Sequence, residues 1–164
     1  MEHKIMKKII LLLMFISIVA LTSCNKTPLE KAVTYLDKSN SKTITLSDYT
    51  NFKWDEVWIV DADIWSKFFP LIMKQKNIDV KELDHSLGGT CGELSSYIII
   101  YVYNKKAVYY EHLPCRGRGI DWYYSLTFNL FDKEFIILLK NQAIFNVKRY
   151  GTSSVYYKLE PNIK

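Results

Sequence analysis

Two runs of β-branched and aromatic residues, Tyr97 to Tyr103 and Ala107 to Leu113, flank Asn104-Lys105-Lys106. Runs of this composition bounded by turn formers read as a β-hairpin. A hairpin is marginal on its own in water, so the remaining chain has to supply elements that cover it. Both of its faces are apolar or aromatic, because Ile98, Ile99 and Ile100 follow one another and Tyr109 and Tyr110 are adjacent. Two solutions satisfy that pattern. Either helices cover one face and a binding partner the other, or tyrosines line an exposed sheet. Twelve tyrosines and four tryptophans suit both, since these side chains bury large areas while keeping a polar tip.

Further strands follow from period-two alternation. Trp122, Tyr124, Leu126, Phe128 and Leu130 alternate with Tyr123, Ser125, Thr127 and Asn129. Phe145 and Val147 alternate with Asn146 and Lys148, and beyond Gly151-Thr152-Ser153 the residues Val155, Tyr157 and Leu159 do so again. Thr43 to Leu46 reads as a short strand and Trp54 to Val60 as a longer one, while Glu134 to Lys140 fits strand or helix. One helix is expected from Leu29 to Ser39, with Thr27 as cap, Pro28 in the first turn and Leu29, Ala32, Val33 and Leu36 on one face. A second starts at Asp63 and carries Ile64, Trp65, Phe68, Phe69, Ile72 and Met73 at spacings of three and four, with a kink or an early end at Pro70. Asn77 to Gly92, containing Gly88-Gly89, reads as a loop. The expected fold is α+β: a single antiparallel sheet of about five to seven strands with two helices packed on one face.

The N-terminus specifies an address. Lys4, Lys7 and Lys8 precede an apolar segment from Ile9 to Leu21, and Leu21-Thr22-Ser23-Cys24 closes it. The apolar stretch is short of the about 20 residues a bilayer crossing needs. This layout resembles a bacterial lipoprotein signal peptide, cut by signal peptidase II before a cysteine that becomes the acylated first residue. The resemblance implies a cleaved leader at 1–23, a lipidated tether at 24–28 with the lipid on Cys24, and a single domain at 29–164. More than one acyl chain makes such an anchor durable. Asn25 follows the cysteine where Asp would favour inner-membrane retention, so an outer-membrane position facing the periplasm or surface is expected in a Gram-negative cell. The segment Phe52-Lys53-Trp54-Asp55 resembles one found in small bacterial lipoproteins of unassigned function, and implies no activity.

Charge narrows the partners. The chain carries 22 Lys and Arg against 17 Asp and Glu, and the leader takes three lysines and one glutamate with it. A mildly basic domain without a concentrated Lys/Arg stripe is not expected to bind nucleic acid.

Cys91 and Cys115 are the thiols left after lipidation and bracket the hairpin near its open end. In an oxidising compartment they are expected to form a disulfide, stabilising by about 3 kcal/mol for a loop of this length. The competing reading makes Cys91 a nucleophile. Gly88-Gly89-Thr90-Cys91-Gly92-Glu93-Leu94 resembles the cysteine turn of NlpC/P60-type peptidoglycan peptidases, which implies His112 as base with Asp121 or Glu111 as orienter. Those cysteines sit at a helix N-terminus, whereas Ser96 to Tyr103 is strand-forming here. A zinc site from Cys91, His112 and Cys115, completed by Glu111 or His85, lacks the paired Cys-x-x-Cys spacing. Asp61-Ala62-Asp63, near Asp55 and Glu56, lacks the regular donors and glycine of a calcium loop, and Asp63 suits a helix cap. No catalytic set, metal or cofactor is therefore expected. Arg116-Gly117-Arg118-Gly119 can present two guanidinium groups to an anion unless Asp121 pairs with them. The expectation is a lipid-anchored, non-catalytic binding module. It would meet an envelope protein or an incoming toxin through Arg116, Arg118, Tyr109 and Trp122. The alternative is a thiol-dependent envelope hydrolase using Cys91 and His112.

Overall fold

The computed structural model describes residues 26–61, 69–79, 97–113, 126–131, 133–151 and 155–162. The first element, α1 (Pro28–Lys38), forms because its start is doubly capped. The Thr27 hydroxyl accepts the Glu30 amide, the Glu30 carboxylate accepts the Thr27 amide, and Pro28 occupies a position that needs no N–H. Its stripe of Leu29, Ala32, Val33 and Leu36 is buried.

Among the described residues eight strands follow: β1 (Thr43–Thr45), β2 (Glu56–Asp61), β3 (Tyr97–Tyr103), β4 (Lys106–Leu113), β5 (Leu126–Phe128), β6 (Phe135–Leu139), β7 (Ile144–Tyr150) and β8 (Tyr156–Pro161). Short 3-10 turns at Leu46–Tyr49 and Lys140–Gln142 follow β1 and β6. The described part of the second helix, α2 (Phe69–Gln75), runs on past Pro70. Residues 62–68, which carry the Asp63 cap, lie outside the described residues.

The expectation of one sheet with two helices on one face is overturned. The strands form two four-stranded sheets, ordered β1-β7-β8-β5 and β4-β3-β2-β6. All pairings are antiparallel except β5 with β8. Alternation reveals that a strand has a buried face, but it does not say which neighbour it pairs with, so strands of two sheets look alike along the chain. The ambiguous stretch after Glu134 is a strand, β6, whose Phe135 to Leu139 run pairs with β2.

The two sheets share one core. Ile44, Phe145, Tyr157, Leu159, Leu126 and Phe128 of the first meet Val57, Ile59, Ile99, Tyr101, Ile136 and Leu138 of the second, together with the α1 stripe. Tyr97 ties the layers directly, its hydroxyl donating to the Phe128 carbonyl at 3.1 Å. The far face of the second sheet is apolar as well. There Trp58, Val60, Ile98, Ile100 and Val102 cluster with Met73 of α2 and Ile78 just beyond it. The two apolar faces of the hairpin are thus both engaged by this chain itself.

The hairpin turn at Asn104 and Lys105 has both residues at positive φ, 49° and 61°, the conformation that matches strand twist in two-residue turns. Pairing then slips at Tyr101/Val102, so that Tyr101 faces Tyr109 while Val102 faces Ala107. The extra residue, Val108, is exposed.

Candidate functional site

The bulge sets which way β4 side chains point. Tyr109 and Leu113 pack into the main core and Ala107 and Tyr110 onto the outer cluster. Glu111 lies opposite Ile99, a main-core residue, and His112 opposite Ile98, an outer-face one. Adjacent strand residues project to opposite faces, so Glu111 cannot orient His112. The half-buried His112 ring lies 6.0 Å from that of Tyr110, and burial lowers its pKa, favouring the neutral imidazole.

Glu111 is instead the one polar or charged side chain that is buried among the described residues, 6% exposed. One carboxylate oxygen accepts the Leu29 amide at 3.2 Å and the other the Tyr101 hydroxyl at 3.1 Å. The Thr27 hydroxyl is a third partner. The carboxyl therefore caps the N-terminal end of α1 from across the core, where the helix dipole also favours negative charge. Burial nevertheless dominates and pushes its pKa up to about 7, with Glu30 adding repulsion and the Thr27, Leu29 and Tyr101 donors opposing. Burial and the Glu111 charge raise the Tyr101 phenol well above its usual range.

Two surface features remain. An open cleft of about 440 Å³ lies where the Thr45–Ser47 stretch meets the end of β6, with Trp54, Asp55, Leu139, Lys140 and Asn141 along it. The Lys140 ammonium stands 5.4 Å from the centre of the Trp54 ring, while Trp54 donates to the Thr50 hydroxyl at 2.9 Å. Asp55 accepts the Asn104 amide at 2.9 Å, pinning the hairpin turn to this rim. On the outer face of the first sheet, Tyr150 and Tyr156 stack with ring centres 4.9 Å apart and planes 12° from parallel. They are 39% and 37% exposed, and Lys148 lies two residues before Tyr150, bonded to Glu160 at 2.9 Å.

Of the residues singled out in the sequence, Tyr109 is half-buried, its ring 4.8 Å from Phe52 and 5.9 Å from Tyr101. Cys24, His85, Cys91, Cys115, Arg116, Arg118, Asp121 and Trp122 lie outside the described residues, as does Asp63. Among the described residues no group of three His, Cys, Asp or Glu side chains converges as a metal ion would require. Neither the buried role of Glu111 nor the Tyr150–Tyr156 pair was read from the sequence. The signal for Glu111 was its place two residues from Tyr109 and from Leu113, on the inward register of a strand.

No family model, curated protein or solved structure matches this chain.

Proposed function

We propose that the protein is a lipid-anchored envelope protein that acts as a non-catalytic binding module, held to the membrane through Cys24 and meeting another envelope protein or a toxin. The anchor rests on Leu21-Thr22-Ser23-Cys24 behind its basic and apolar leader. The observation that supports binding is the stacked, exposed Tyr150–Tyr156 pair. Two aromatic rings held parallel on a rigid sheet offer amphipathic contact area with little side-chain freedom left to lose. In this reading the sheet face around Tyr150 is a contact surface, Arg116, Arg118 and Trp122 also meet the partner, and Cys91 and Cys115 are paired.

Photocrosslinkers placed at Lys148 and Lys158 test this in cells. A specific adduct that disappears in the Tyr150→Ala/Tyr156→Ala double variant is expected, and an adduct pattern indifferent to that change refutes the contact surface. Metabolic labelling with a palmitate analogue, lost in Cys24→Ser, tests the anchor separately. A thiol-dependent hydrolase is the second reading, favoured by the neutral imidazole of His112. Two free thiols at Cys91 and Cys115 in protein isolated without reductant would turn the search toward it.

A further inference from the structure

The position of Glu111 is unusual for what it joins. Its oxygens bridge the first turn of α1 to β3 and β4 through Leu29 and Tyr101, two partners far apart in sequence, inside a core otherwise made of Leu29, Ile99, Leu113 and similar residues. The Leu29 amide is one of the helix-start donors that have no partner within the helix. The carboxyl therefore supplies a bond that nothing else in α1 can supply. The groups acting on it are few. Glu30 from α1 repels its charge, Tyr101 from β3 donates to it, and Tyr109 from β4 lies beside Tyr101. Among the described residues no cation acts on it.

We propose that Glu111 is a proton-operated fastener for the N-terminal helix, clamping its first turn when neutral and letting it lift away when ionised. The neutral carboxyl fits the site completely. Its carbonyl oxygen keeps the Leu29 amide, and its O–H can donate to the Tyr101 or Thr27 oxygen, both of which accept as well as donate. The ionised carboxylate keeps three donors but meets no opposite charge among the described residues, and water solvates it better. Lifting the first turn gives it that water, and the proton exchanges with bulk solvent. Residues 28–31 passing from helix to extended chain lengthen the link ahead of the domain by roughly 8 Å, from the difference between helical and extended rise. That gain in reach matters for the membrane only if Cys24 carries lipid. The undocking itself does not depend on it.

Amide hydrogen exchange of the full chain in detergent, read at Leu29 and Lys31 against Ile99 and Ile100 of β3, tests this. After correction for intrinsic chemistry, the opening constant of the α1 amides should rise about tenfold from pH 6 to pH 8 while that of the β3 amides stays level. Glu111→Gln should abolish the rise at Leu29 and Lys31. Tyr101→Phe, which removes one donor to the carboxylate, should keep the response but move its midpoint to higher pH. An equal rise in Glu111→Gln, no rise in the parent chain, or a rise shared equally by β3 overturns the proposal.

Discussion

Replacing Glu111 by glutamine keeps shape and hydrogen-bonding capacity while removing a titration, and its effect on global stability can be worked out in sign and size. The carboxyl has a folded pKa of about 7 against an ordinary value of 4.5. Between those values the folded chain holds a proton that the unfolded chain has lost. Stability conferred by this group is therefore greatest in acid and falls as pH rises through 7, the reverse of a salt-bridged carboxylate. Integrating the linkage between pH 5 and pH 8 gives a loss of about 2–3 kcal/mol, with no discount for exposure because the group is buried. Urea unfolding of parent and Glu111→Gln chains at both pH values isolates this contribution, because every other titrating group is common to the two. Near-equal stabilities at pH 5 and an advantage of about 2–3 kcal/mol for the glutamine variant at pH 8 are expected. A variant no more stable than the parent at pH 8, or a difference that does not change with pH, would refute the assignment of a buried, burial-shifted carboxyl.

Other substitutions probe the frame. Lys105→Gly places the preferred residue at a φ of 61° and should raise the urea midpoint by the equivalent of about 0.5–1 kcal/mol, with a loss in stability as the contrary result. Phe145→Ala empties a fully buried position packed between the sheets and should cost about 3–5 kcal/mol in the same assay. Lys148→Ala breaks the exposed pair with Glu160 and should leave the midpoint within error of the parent, since solvent screens such pairs.

Local chemistry was legible where local chemistry decides. The sequence places α1 within one residue at each end because the Thr27 cap, Pro28 and the Leu29, Ala32, Val33, Leu36 stripe are written into neighbouring positions. The β3–β4 hairpin was visible for the same reason, although the Val108 bulge that turns Tyr109 inward was not. What failed was pairing over distance. Thr43 to Thr45 contain nothing that selects Asn146, Phe145 and Ile144 as partners, and the parallel pairing of Leu126 with Tyr157 has no local signature. The continuous burial of β2 and β3 was itself the clue to layers on both sides. The sequence reading left one face of the hairpin open to a partner, where Met73 and Ile78 cover it. At the candidate site the sequence reading grouped Glu111 with His112 although strand alternation sets them on opposite faces, and the carboxyl's true partner, the Leu29 amide, is 82 residues away.

Strand order also dictates an order of assembly. In the second sheet β2, β3 and β4 are successive strands of the chain, so they can pair as soon as they are made. The first sheet forms later: β7 and β8 are successive and pair as a hairpin, but β1 must wait for β7 and β5 for β8. Loop closure over so long a separation is slow. On a chain emerging from its N-terminus, the Ile44 side of β1 stays wet until residues 144–161 arrive. That half of the molecule needs shielding during synthesis, and it is the half that removing β8 would dismantle.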